Sequence, residues 1–145
     1  MWETKTFSEL TTKELFEILY LRTKIFVVDQ ERVYQEVDEH DPDAIHIFKI
    51  INGKVVAYAR VFKQNDKVTF GRVLTDPKFR GQGLGNDLMD HVLTVIKENY
   101  GTKEIEIEAQ VQVEGFYQKF NFQTHGKPFL FNHTPHLKMT HAALI

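Results

Sequence analysis

The sequence predicts an α/β domain, a single unit over residues 1–145 with a mixed, mostly antiparallel sheet flanked by helices. Three observations lead there. Asn52-Gly53 joins two apolar runs, the strongest short-range sign of a β-hairpin. The spacing of apolar residues changes to a helical one after Asp76-Pro77. A chain of 145 residues, 42% hydrophobic, is also long enough to bury one core.

Taken in order, Trp2–Phe7 is a candidate first strand. Thr11-Thr12-Lys13-Glu14 has the form of a capping box, with Thr11 as N-cap and Glu14 reaching back to it. Leu15, Ile18, Leu19, Leu21, Ile25 and Val28 then keep helical spacing to about Gln30. Arg22 lies near this stripe. It reads as a surface arginine whose stem lies along the stripe, with a site role as the alternative. Glu31–Pro42 is a polar connector rich in acid: Glu36, Asp38, Glu39 and Asp41, with Asp43 just beyond. It cannot be an EF-hand, because the sixth position from Asp38 is Asp43 and the twelfth is Lys49. Two readings remain, a solvated acidic loop or a rim that attracts a cationic amine.

Ala44–Ile51, Lys54–Lys63 and Lys67–Thr75 read as an antiparallel meander turning at Asn52-Gly53 and at Gln64-Asn65-Asp66. Asp76-Pro77 stops its last strand. Arg80-Gly81-Gln82-Gly83-Leu84-Gly85 follows and opens directly into a helix with Leu84, Leu88, Met89, Val92, Leu93 and Ile96 on one face. Tyr100-Gly101 ends that helix. Glu104–Ala109 alternates acid and apolar residues as a half-exposed strand does, and a strand–helix–strand crossover makes it parallel to Lys67–Thr75. Val111–Phe120 is a short helix with Val113, Phe116, Tyr117 and Phe120 on one face, and Phe122–Lys127 and His136–Ala142 are two final strands.

The formal net charge of -2 provides no basic field for nucleic acid. The absence of cysteine removes disulfides, thiolate metal ligands and a cysteine nucleophile. No apolar run approaches the ~18 residues of a membrane span, and Met1–Phe7 has no signal-peptide core. The expectation is a cytoplasmic monomer or homodimer with no nucleic-acid and no membrane partner. His133-Thr134-Pro135-His136 has no third ligand near it in sequence, and no metal is expected.

The glycine-rich loop carries the functional signal. A helix N-terminus offers free N–H groups and the positive end of a dipole, and Lys78 and Arg80 add charge, so an anion is favoured. Glycine lets backbone approach a ligand closely. The P-loop pattern is excluded because no Gly-Lys-Ser/Thr occurs, and GxGxxG fails at Asn86. A phosphate or pyrophosphate cradle remains, beside the plainer reading of a glycine-rich turn before a core helix.

What is left, R-x-x-G-x-G after a strand, resembles the coenzyme-A loop of the GNAT N-acetyltransferases, and the element order resembles that fold over nearly the whole chain. Gly115-Phe116-Tyr117-Gln118-Lys119-Phe120-Asn121-Phe122 resembles the F-Y-x-x-x-G-F stretch of that family, with Asn121 in place of glycine. Asparagine tolerates positive φ better than most residues. Leu21-Arg22, Phe26–Gln30, Tyr34–Asp38 with Asp41, and Pro135–Met139 resemble the ElaA-like branch, while Arg32-Val33 departs from its Cys-Pro.

The resemblance implies acetyl transfer from acetyl-CoA, as co-substrate and without a metal, to a small-molecule or peptide amine. It implies that backbone N–H groups from Arg80 through Gly81, Gln82, Gly83, Leu84 and Gly85 bind the pyrophosphate. The main chain of Val73, Leu74 and Thr75 would position the thioester, and Gln110 stands where an asparagine commonly contacts pantetheine. Tyr117 would be the acid for the departing thiolate; its spacing alone favours a core aromatic. A base or water relay must take the amine proton, and Glu108 or Glu106 could hold that water. Arg72 shares a strand face with Phe70 and Leu74, close to the expected acetyl position, and a charge on that apolar face suggests a lined cleft with a catalytic role or a buried ion pair. Glu36, Asp38, His46 and His136 are the candidate acceptor contacts. Two other readings stay open: a non-catalytic acyl-CoA-binding module, and a nucleotide binder unrelated to coenzyme A.

Overall fold

A computed structural model describes all 145 residues. Its elements are β1 (Trp2–Thr6), α1 (Thr12–Arg22), β2 (Ile45–Ile51), β3 (Lys54–Gln64), β4 (Lys67–Thr75), α2 (Leu84–Tyr100), β5 (Ile105–Gln110), α3 (Glu114–Gln118), β6 (Gln123–Phe131) and β7 (Thr134–His141). All seven strands form one sheet in the order β1-β2-β3-β4-β5-β7-β6. Every neighbouring pair is antiparallel except β4 with β5. No helix is long and apolar enough to cross a membrane.

Local chemistry fixes the turns. Asn52 and Gly53 both have positive φ, 52° and 76°, as a two-residue turn between β2 and β3 requires. Asn132 and His133, at 48° and 64°, do the same between β6 and β7. That turn carries no glycine, so these strands run longer than Phe122–Lys127 and His136–Ala142. The capping box is present: the Thr11 hydroxyl accepts from the Glu14 N–H (3.0 Å), and the Thr11 N–H donates to the Glu14 carboxylate (2.9 Å). The helix does not continue in α form to Gln30. Thr23–Asp29 winds as a π-helix, and Leu21 and Phe26, five residues apart, pack in one cluster as that wider turn allows.

The sheet separates two apolar layers. On one face Leu88, Met89, Val92, Val95 and Ile96 of α2 meet Ile47, Ala59, Val61, Val68, Phe70, Ile105 and Ile107. On the other, Ile18, Leu21 and Phe26 meet Phe48, Val55, Tyr58 and Leu74. Phe70 and Leu74 are an even number of residues apart, yet they lie in different layers. A bulge in β4 explains this: the register with β3 shifts between Tyr58 and Arg60, and Arg72 takes a φ of 52°. An extra residue exchanges the faces of everything beyond it. Arg72 therefore does not share its face with both Phe70 and Leu74.

The bulge lies where β4 leaves β5. The two strands pair at one register position, Val68 with Ile105, beside a Val68 N–H donated to the Glu104 carbonyl at 3.0 Å. Beyond that point they splay, and a wedge opens between Phe70–Thr75 and Ile107–Gln110.

Candidate active site

A cleft of ≈ 690 Å³ fills the wedge and continues to both faces of the sheet. At one end lies the start of α2. The first bond into this helix runs from the Asp87 N–H to the Gly83 carbonyl at 3.0 Å, so the N–H groups of Gly81 to Asn86 have no backbone acceptor. Gly81 and Gly83 have φ of 80° and 75°, and a Cβ built at either would meet nothing within 4 Å. The loop therefore needs glycine for its backbone shape, and the space above it is open. Arg80 and Gly85 line the cleft, Gln82 is exposed, and Leu84 is buried, which leaves Leu84 only its N–H to offer. An extended anion with a pyrophosphate fits this end by charge, donors and room.

Val73, Leu74 and Thr75 line the wedge on the β4 side. Tyr117 stands in the α2 layer, packed against Phe70 and Phe122, and reaches the cleft. Burial pushes its hydroxyl above the ordinary tyrosine range, so it stays protonated. Glu108 and Gln110 alternate with the core residues Ile107 and Ala109, so they reach the cleft from the α1 side. Glu106 is held by Lys67 (3.1 Å) and Lys138 (3.4 Å), which leaves Glu108 as the freer carboxylate of β5. The Gln110 amide donates to Gln30 at 3.4 Å, and Gln112 contacts Gln110. His136 pairs with Gln110 across β5 and β7 and lines the cleft. Its Nδ1–H donates to the Thr134 carbonyl at 2.8 Å, which leaves Nε2 as the ring's acceptor.

The connector between α1 and β2 differs most from the expected acidic rim. Arg22 is 1% exposed and Glu36 5%. The Arg22 guanidinium donates to Glu36 at 2.7 Å and to Asp41 at 2.7 Å. Arg60 donates to Asp38 (2.6 Å) and Asp41 (2.9 Å). Arg72, turned to this face by the bulge, reaches Glu36 (3.2 Å) and Asp38 (3.3 Å). Three arginines thus neutralise three carboxylates. Arg22 is a core cation rather than a surface one, and Glu36 and Asp38 are committed to arginines rather than offered to an amine. His46 is fully buried and absent from the cleft wall. Its Nδ1 accepts from the Tyr58 hydroxyl at 2.6 Å and its Nε2–H donates to the Asp41 carbonyl at 3.0 Å, so it braces the connector instead of meeting an acceptor.

The expected residues Arg72, Val73, Leu74, Thr75, Arg80, Gly85, Glu108, Gln110, Tyr117, Asp38 and His136 come together in one cleft. Arg32, Tyr34, His40, Arg60 and Phe62 join them and were missed. Arg60 had a signal, a lone charge within the apolar run Val55–Phe62.

Residues 11–143 match the family model described as an acetyltransferase (GNAT) domain. The chain is 37% identical over 138 residues to a UPF0039 protein of Schizosaccharomyces pombe, covering 93% of this chain and 92% of that one. It is 34% identical over 143 residues to protein ElaA of Escherichia coli, covering 95% and 94%. A crystal structure of an acyl-CoA N-acyltransferase from Pseudomonas aeruginosa superposes with a TM-score of 0.92 at 33% identity, over 98% of this chain and 99% of that one.

Proposed function

The chain belongs to the GNAT acetyltransferases, and from that premise we propose that it transfers an acetyl group from acetyl-CoA to a primary amine, which attacks the thioester directly. The open wedge between β4 and β5 carries this reading, with unpartnered N–H groups at one end and Tyr117 on its wall. Acetyl-CoA supplies the acyl group as an activated thioester. The N–H groups of Gly81–Gly85, with Arg80, would hold its pyrophosphate. The main chain of Val73–Thr75 would align the thioester carbonyl, the bulge at Arg72 having turned that stretch toward the wedge. Gln110 lies on the opposite side of the wedge for the pantetheine arm.

Proton traffic has a direction. An amine must lose its proton to attack, and Glu108, approaching from the α1 side, accepts it directly or through water. The leaving thiolate must gain a proton, and the Tyr117 hydroxyl, kept protonated by burial, gives it from the α2 side. Acid and base thus stand on opposite faces of one sheet and meet only through the wedge.

Thermal unfolding with and without acetyl-CoA tests the reading, with Gly83→Asp alongside. A ligand present at about 100 times its dissociation constant stabilises the folded state by ~2.7 kcal/mol. The expected result is a clear rise in Tm for the parent and none for the variant, where a side chain is forced to positive φ and a carboxylate faces the anion. No rise at millimolar acetyl-CoA would reduce the loop to a glycine-rich turn.

A further inference from the structure

Four arginines line the cleft: Arg32, Arg60, Arg72 and Arg80. Arg60 and Arg72 are neutralised by acids of the connector. Arg80 stands at the glycine loop, where phosphate charge is proposed. Arg32 is different. Its only side-chain bond is a 3.4 Å contact from Nη1 to the Gln30 side-chain amide oxygen Oε1. Two buried side-chain polar atoms in the molecule lack any hydrogen-bond partner, Arg32 Nε and Arg60 Nε, and both belong to this cleft wall. A buried donor without an acceptor is uncommon and calls for a partner.

Arg32 forms no ion pair with any acid, unlike Arg22, Arg60 and Arg72. Glu36, Asp38 and Asp41 are taken. Glu39 is 85% exposed and faces His40 at 3.9 Å. The Arg32 guanidinium instead lies 4.4 Å from the centre of the Tyr34 ring, and the Arg72 guanidinium lies 5.4 Å from that same ring. Stacking occupies a guanidinium's face and leaves its N–H edge free for a planar oxyanion.

We propose that the acceptor is a small molecule carrying a carboxylate as well as its primary amine, and that Arg32 holds the carboxylate. The proposal rests on the acyltransferase reading above. One aromatic ring separates Arg32 from Arg72, and the residue after Arg72 begins the stretch that aligns the thioester. Anchor and reacting amine would thus belong to one molecule, with its carboxylate across the Tyr34 ring from the proposed thioester stretch. A simple amine would leave Arg32 without counter-charge, and a polyamine would bring a second cation to it.

Amino acids and their carboxamides are the probes, each offered with acetyl-CoA to the parent, Arg32→Gln and Arg32→Lys. The amides keep an amine in the same place and remove the carboxylate charge. The parent is expected to acetylate at least one amino acid with kcat/KM roughly tenfold or more above its amide, mainly through KM. In Arg32→Gln acid and amide become equivalent, while Arg32→Lys keeps part of the preference. Equal values in the parent, or a preference that survives Arg32→Gln, would overturn the proposal. Thermal unfolding of the CoA-loaded protein with each probe separates the two readings. Stabilisation by amino acids but not amides, lost in Arg32→Gln, upholds the anchor even if no acetyl group moves, an outcome that sinks the acetyltransferase reading alone. Absence of both acetylation and stabilisation by every amino acid sinks the anchor.

Discussion

Arg22 stays charged in a place almost without water because Glu36 and Asp41 both bind it and the Tyr58 hydroxyl lies 3.5 Å away. Arg22→Met would leave two carboxylates buried near one remaining set of arginines. Urea unfolding should record a loss of about 3–5 kcal/mol; a loss below about 1 kcal/mol would place this network nearer the behaviour of a surface pair. The same residues set a pH dependence. Burial works against the Asp41 charge, but hydrogen bonds and charge from Arg22, with Arg60, outweigh it and hold the carboxyl at about 2. Burial pushes the His46 imidazole below its ordinary value. Both shifts are downward, so on acidification the unfolded chain takes up these protons before the folded one. Stability should fall first below about pH 6.5, from His46, and again from about pH 4 toward 2, from Asp41. A Tm profile from pH 8 to 2 checks this, and His46→Gln should lack the upper step; an unchanged upper step would exclude His46 as its source. Tyr117→Phe removes the proposed acid with little change in packing, and should lower kcat by roughly 10²-fold or more while acetyl-CoA binding persists. Unaltered turnover would return Tyr117 to the core aromatics it packs with. The charges of this network were visible in the sequence, but their partners were not, because Arg22, Glu36, Asp41 and Arg60 meet only once the connector folds against α1 and β3.

At the level of elements, most strands and helices could be read directly, and the exceptions share a cause. Lys67–Thr75 and the start of α2 at Leu84 agree with the expected bounds, since a Pro turn and two glycines punctuate them. Three features stayed hidden: the bulge at Arg72, the π-helix at Thr23–Asp29 and the turn at Asn132-His133. Each places its irregular backbone on residues other than glycine or proline, although Gly71 stands next to the bulge. Asn121 is the instructive opposite. It stands where the resembling motif carries glycine, and its φ is 70°. Asn121→Val should cost about 1–2 kcal/mol in urea unfolding, because a branched side chain resists that conformation. Asn121→Gly should cost far less. Equal losses for both would move the explanation from backbone to the asparagine side chain.

For the whole molecule, the fold class and the glycine-rich entry into α2 followed from local patterns, whereas the strand order did not. β7 lies between β5 and β6, and no short-range signal reveals that insertion. It matters, because β7 carries His136 to Gln110 and so builds one wall of the cleft. The wedge has one more consequence. A strand boundary with unpaired backbone normally belongs at the rim of a sheet, where it invites foreign chains and is blunted by charge or proline. Here such a boundary lies in the middle, between the fourth and fifth strands in sheet order, with helices and the connector walling it off. On the acetyl-CoA reading proposed above, the amides of the pantetheine arm would lie in that slot. The β5-facing amides of Thr69–Thr75 should therefore trade hydrogen with solvent far faster than those of β3, central though they are, and should slow only when an acyl-CoA occupies the gap. Fast exchange that ignores acyl-CoA would mean that the gap serves some other guest.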